Sequence, residues 1–162
     1  MKLLTKLFIA AGAAVLASNV ALAQTKLKWA HVYETSEPYH TWSVWAADEI
    51  KKKTNGKYEI AVFPASSLGK ETDINQGMSL GTVDMIISGP SFAARSYPRL
   101  GIAYYPFIFR DGEHLLQYSK SDVFKEMIDG YRAKTGIQII AYTYYGARHT
   151  TSNRPFTDCA GM

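Results

Sequence analysis

Cysteine is almost absent from this chain: Cys159 is its single thiol. One cysteine forms no intrachain disulfide, which excludes a small disulfide-stapled scaffold. Its distance from the amino terminus also excludes a lipoprotein acylation site, so Cys159 reads as a buried or incidental thiol. Metal-ligand spacing is lacking too. His31, His40, His114 and His149 are scattered, no pair has one-turn helical spacing, and no cysteine or acidic triplet completes a set. There is no Gly-x-Ser-x-Gly elbow, no Walker loop and no dinucleotide glycine loop. No cofactor and no metal are expected. Charge of one sign is only mildly in excess, with Lys+Arg 18 against Asp+Glu 14 and a net charge of +4. Two of those lysines fall in the leader described next, so a nucleic-acid partner is not expected.

What is present begins with an address. Lys2 and Lys6 precede an apolar run from Leu7 to Ala17, and Ala21-Leu22-Ala23 follows as a small-x-small cleavage signature. The apolar run is shorter than the about 20 residues that a spanning helix needs. Cleavage after Ala23 and export to the periplasm are expected. No later run is long enough to span a bilayer, so the mature product is not expected to be membrane-embedded. At 162 residues, 47% hydrophobic and 13% aromatic, the chain can build one medium core but not two full domains.

After the leader, strand and helix signals alternate. Lys26–Val32 alternates polar and apolar residues and predicts a strand. Ser36 or Glu37 caps a helix with Pro38 at its first position. Tyr39, Trp42, Ala46 and Ile50 form its core stripe, Lys51–Lys53 suit its last turn, and Asn55-Gly56 stops it. Tyr58–Phe63 is a second strand ended by Pro64. A helix is predicted over Thr72–Ser79 and a third strand over Thr82–Ser88. Gly89-Pro90-Ser91 turns the chain, and Phe92–Phe109 is irregular, with Pro98 and Pro106 as breakers. One helix runs from Asp111-Gly112-Glu113 through Tyr131 to Gly136, followed by a long strand, Ile137–Tyr145. This order predicts an α/β fold with a mostly parallel sheet.

In an open α/β sheet, ligands bind beyond the carboxyl ends of the strands. Those ends are Val32–Glu37, Phe63–Glu71, Ser88–Ser91 and Tyr144–Arg148. Arg148 carries a planar fork that pairs with a carboxylate, with Thr150, Thr151, Ser152 and Asn153 beside it; it also reads as one arginine of a solvated loop. Glu71 can accept hydrogen bonds from ligand hydroxyls, or sit against a helix dipole. Glu34 and Glu37 read similarly, with Glu37 nearer a cap. Tyr33, Tyr104, Tyr105, Tyr144 and Tyr145 can line a polar pocket or join the core.

Several phrases taken in order resemble a known family. They are Lys28-Trp29-Ala30-His31, then Pro64-Ala65-Ser66-Ser67-Leu68-Gly69-Lys70-Glu71, then Gly81-Thr82-Val83-Asp84-Met85. Gly146-Ala147-Arg148 and Thr151-Ser152-Asn153-Arg154-Pro155 complete the set. Together they resemble the solute-binding subunit of tripartite ATP-independent periplasmic (TRAP) transporters, dicarboxylate-binding (DctP) type. The resemblance implies a type II periplasmic-binding-protein fold of two α/β lobes that captures an organic acid for a membrane permease pair, without catalysis. It implies Arg148 as a carboxylate anchor and Glu71 as a ligand-facing acid. Ser88, Gly89 and Ser91 line the cleft, as do Tyr33 and Glu34, and Tyr145 precedes the anchor. Family members run to roughly two lobes of ordinary domain size. Their Lys-x-Arg segment beyond the Arg-Pro run is absent here, and Asp158-Cys159-Ala160-Gly161 departs from the usual Asp-x-Lys-Gly turn.

The chain is therefore read as an amino-terminal portion. Its divisions are a signal at 1–23, a first lobe at 24–145, and the start of a crossover into a largely missing second lobe at 146–162. The competing readings are a small secreted enzyme using Glu71, a histidine and Arg148 on an acidic or sugar substrate, and a non-functional truncated binding protein.

Overall fold

The computed structural model describes residues 24–158. The leader at 1–23 and Cys159 lie outside the described residues. The chain forms two compact units, 24–88 and 89–158.

The first unit is a β-α-β-α-β run. Strand β1 (Thr25–Ala30) is followed by helix α1 (Pro38–Lys53), β2 (Tyr58–Phe63), α2 (Glu71–Leu80) and a two-residue β3 (Met85–Ile86). The three strands form a parallel sheet of order β2-β1-β3. Every pair is parallel, so all carboxyl ends lie along one edge. The register sets Ala30 opposite Phe63 on one side and Ile86 on the other. Beneath the sheet, Ala30, Ile74 and Val83 are buried together, with Val32, Phe63, Met78 and Ile86 packed around them.

Local chemistry explains the boundaries. Pro38 starts α1 where a missing N–H costs nothing. Asn55 and Gly56 then both take positive φ, and the helix stops. The buried face of α1 differs from the expected stripe. Ser43 and Ala47 are its buried residues, whereas Trp42 is 63% exposed and meets Trp45 edge-on at 5.4 Å. One turn apart, the two small residues let the helix backbone sit close to the sheet; bulkier side chains are left outside. The third strand is much shorter than Thr82–Ser88. Thr82 and Val83 donate their N–H groups to the Gly77 carbonyl, which closes α2. The Asp84 carboxylate accepts the Lys28 N–H at 2.8 Å, taking a ladder position that a backbone carbonyl would fill.

The second unit is helical. A short α3 (Pro90–Ala93) replaces the expected turn, and a 3-10 helix spans Pro98–Tyr104. The single long helix expected after Asp111 is two: α4 (Gly112–Ser119) and α5 (Asp122–Thr135). Ser121 divides them, because its hydroxyl accepts the Phe124 N–H and opens a new helix N-terminus. Asp111 caps α4 in the same way, accepting from the His114 N–H at 2.8 Å. Leu100, Met127 and Tyr131 form the core of this unit, with Tyr97, Tyr118, Ile137 and Ile139 against it. Ile137–Tyr145 is not a strand: residues 137–145 join no ladder among the described residues. Their β-propensity is real, but a strand exists only where a partner supplies the opposite backbone groups.

Ile74, 1% exposed, is the largest fully buried apolar side chain in the first core. Ile74→Ala is expected to lower stability by about 2–4 kcal/mol, measured by urea unfolding, because the void cannot collapse beneath a sheet.

Candidate functional site

At the carboxyl edge of the sheet, the loops are stitched to one another. His31 N–H donates to the Phe63 carbonyl at 3.0 Å, Ala65 N–H to Tyr33 at 2.9 Å, and Ile87 N–H to Ala30 at 3.2 Å. Ala65 and Ser66 both hold positive φ, 49° and 58°, which side-chain-bearing residues rarely adopt. Gly69, at φ 110°, is required: a Cβ there would lie 2.8 Å from Asp73 Cβ. This sharp path carries the chain from β2 into α2 and sets Glu71 at the first turn of that helix.

Glu71 and Ser88 are brought together there. The Ser88 hydroxyl donates to Glu71 Oε1 at 2.9 Å. The Asn75 amide donates to the Ser88 oxygen at 2.8 Å and to the Glu71 carbonyl at 2.7 Å. All three are half-buried. The carboxylate is thus fixed in orientation by a hydroxyl that is itself oriented by an amide. Asn75 was not singled out from sequence. Its signal is the spacing of four from Glu71, which puts both on one helix face.

Tyr33 lies with its ring 4.7 Å from Tyr39 and 5.9 Å from His31. Glu34 is exposed, and its backbone N–H donates to Glu37 Oε1 at 3.1 Å. Glu37 occupies the cap position of α1, but its side chain turns back to that amide and caps no helix N–H.

His31 is named in the sequence reading but given no site role there. It is 1% exposed, its Nε2 is 3.4 Å from His40 Nδ1, and its own Nδ1 has no hydrogen-bond partner among the described residues. Burial first, and the His40 imidazole second, hold its pKa below the ordinary 6.5; the Tyr33 backbone and the Glu37 carboxylate pull the other way. The two histidines lie on different elements, so no spacing rule couples them.

In the second unit, Gly89 and Ser91 fall at the start of α3. Gly89 precedes it, with its carbonyl accepting from the Phe92 N–H at 3.1 Å, and Ser91 lies half-buried in its first turn. Tyr145 is 63% exposed. The Arg148 guanidinium stacks on Tyr104, 4.7 Å from the ring centroid, and no carboxylate among the described residues pairs with it. Stacking on the ring face leaves the planar fork's N–H donors available. Beyond it, Thr150, Ser152, Asn153, Arg154, Pro155 and Phe156 line an open hollow of about 410 Å³. Among the described residues no group of three or more histidines, cysteines or carboxylates could hold a metal ion.

Parallel strand ends carrying polar, pre-oriented side chains are where an open α/β sheet takes a ligand. The chain belongs to the DctP family, bacterial extracellular solute-binding protein family 7, whose match covers residues 29–162. It is 33% identical to a solute-binding protein of Roseobacter denitrificans over 92% of this chain and 46% of that protein. The crystal structure of that protein as a TRAP periplasmic solute-binding protein with bound L-galactonate aligns with a TM-score of 0.65, covering 69% of this chain and 37% of that one. A Haemophilus influenzae TRAP solute-binding protein with bound L-gulonate aligns with a TM-score of 0.67 at 28% identity, over 74% and 39%. The chain is also 30% identical to the 2,3-diketo-L-gulonate-binding periplasmic protein of Escherichia coli, over 91% and 44%. It spans about half the length of the curated relatives it matches. The family consists of transport binding proteins rather than enzymes, and it is periplasmic. Among the described residues no helix is long and apolar enough to cross a membrane.

The buried His31 gives a pH signature. Its folded pKa is lowered, so between that value and about 6.5 the unfolded chain takes up a proton that the folded chain refuses. Its contribution to stability is full above about pH 6.5 and is lost as the pH falls below that value. Thermal melts from pH 7.5 to 5.5 should show a falling midpoint, with a shallower slope in His31→Gln.

Proposed function

We propose that this chain carries solute-contacting elements of an extracytoplasmic binding protein for a small organic acid, of the sugar-acid class, delivered to a TRAP permease pair. The observation that carries the reading is the Arg148 fork, held flat on Tyr104 and lacking a carboxylate partner among the described residues. An arginine in that state is a carboxylate anchor awaiting its anion. Glu71, steadied by Ser88 and Asn75, supplies a fixed acceptor suited to a polyol hydroxyl. Tyr33, Glu34, Gly89, Ser91 and Tyr145 complete the assignment of solute-lining residues. The gulonate and galactonate bound by its relatives carry both groups, one carboxylate and several hydroxyls. Export through a leader cleaved after Ala23 accords with that role.

Arg148 is exposed. Water competes for a carboxylate at such a site, so the chain is expected to hold its solute weakly, with a dissociation constant of about 1 mM. Titration with L-gulonate and L-galactonate, followed by tryptophan emission and calorimetry, checks this. Arg148→Ala should weaken binding by about 30-fold, the loss expected for about 2 kcal/mol of charged hydrogen bonding. Ser88→Ala should cost less and affect hydroxylated acids more than succinate. The solute should be recovered unchanged. Equal affinity in wild type and Arg148→Ala would remove the anchor from the reading.

A further inference from the structure

We propose that Asn75 is a positioning residue that commits the Ser88 hydroxyl to Glu71, so that position 71 reads a solute hydroxyl and refuses a second carboxylate. Three hydrogen bonds and their direction lead to this. The Asn75 side-chain atom 2.7 Å from the Glu71 backbone carbonyl must be the amide nitrogen, because a carbonyl oxygen has no hydrogen to donate. The same nitrogen lies 2.8 Å from the Ser88 oxygen. Its two hydrogens therefore go to two acceptors, and the Ser88 oxygen receives one of them. Ser88 has a single hydrogen of its own, and Glu71 Oε1 accepts it at 2.9 Å.

The chain of bonds thus runs one way, from amide to hydroxyl to carboxylate. It starts from a fixed point. Glu71 and Asn75 stand four residues apart on α2, so the carbonyl and the amide meet within one helical turn. It closes on Ser88, just beyond β3. Two consequences follow. Ser88, placed at the cleft by the sequence, has its hydrogen engaged and is not a donor to solute. Glu71 receives a hydrogen rather than giving one, which favours its acceptor form. An ionised carboxylate accepts several hydrogen bonds and donates none. A hydroxyl brought to it completes a charge-assisted bond, whereas a carboxylate meets like charge with no hydrogen between. The selected solute is a hydroxylated monoacid, and the rejected one is a dicarboxylate. The identity of the group met at Glu71 rests on the capture reading above; the direction of the bonds does not.

Glu71→Gln makes the direction visible. The introduced amide has an acceptor end and a donor end. With Ser88 committed by Asn75, the amide oxygen faces the Ser88 hydrogen and the NH₂ group points away from it. The same position then offers donors, which suit a carboxylate rather than a hydroxyl's hydrogen. Asn75→Leu, close in size but without donors, releases Ser88. Its hydroxyl can then turn, and an amide at position 71 takes either orientation.

The test has two readouts on the full chain. Side-chain amide exchange by NMR reads the direction without any solute. Both Asn75 amide hydrogens should exchange at least about tenfold more slowly than those of the exposed Gln76. In Glu71→Gln they should stay protected, while the hydrogens of the introduced amide exchange as those of Gln76 do. Titration with L-gulonate and succinate reads the selectivity. The preference for gulonate should fall about tenfold in Glu71→Gln, and most of that change should vanish when Asn75→Leu is added. Asn75→Leu alone should weaken gulonate and leave succinate unchanged, whereas equal weakening of both marks a merely structural contact and overturns the assignment. Freely exchanging Asn75 hydrogens overturn the proposal whether or not solute binds. So does an introduced amide as protected as Asn75, or an unchanged preference in Glu71→Gln. A wild-type chain that binds neither acid overturns the capture reading, and with it the solute half of the proposal; exchange still decides the direction of the bonds.

Discussion

The pairing of β1 with a parallel neighbour on each side is the constraint from which the candidate site follows. Parallel ladders put every carboxyl end on one edge, and the register fixes which residues emerge together: Ala30, Phe63 and Ile86. Everything proposed to meet solute in the first unit is attached just beyond one of those three residues. Tyr33 and Glu34 follow β1, the strained Ala65-Ser66 corner that leads to Glu71 follows β2, and Ser88 follows β3. A slip of one residue would turn Ala30 out of the core and carry these loops with it.

That edge combines backbone hydrogen bonds between its loops with backbone positions of positive φ. Two consecutive non-glycine residues in the left-handed region and a buried imidazole whose Nδ1 has no hydrogen-bond partner among the described residues each carry a local cost. They persist because the backbone hydrogen bonds between the loops over-determine the path. What they secure is the position of Glu71, which in turn is held by Ser88 and Asn75. In the proposed role, a carboxylate fixed before solute arrives would lose little freedom on binding, and pre-organisation of this kind governs affinity more than contact area does.

The second unit shows the opposite situation. Its helices are well capped and its core closes around Leu100, Met127 and Tyr131. The run that follows has strand chemistry without a strand partner. Residues 137–145 join no ladder among the described residues, and Ile140, Tyr144 and Tyr145 are exposed. Arg148, the proposed carboxylate anchor, comes directly after this run.

Much of the first unit was determined by sequence alone. Tyr58–Phe63 is bounded by Asn55-Gly56 and Pro64, and local backbone preferences suffice to place it. The start of α1 at Pro38 and the stop of α5 at Gly136 follow from the same local physics, as does the alternation that implies a parallel sheet. Tertiary structure alone decided the rest. Ser43 and Ala47, not Trp42, face the sheet because close approach depends on what lies opposite. The third strand shrank because the Asp84 carboxylate took a ladder amide. Ser121 split a helix whose periodicity runs on unbroken. His31 joined His40, and Ser88 joined Glu71, across separations that no spacing rule spans. Periodicity reports which residues favour a shape; only packing reports which partners are present to complete it.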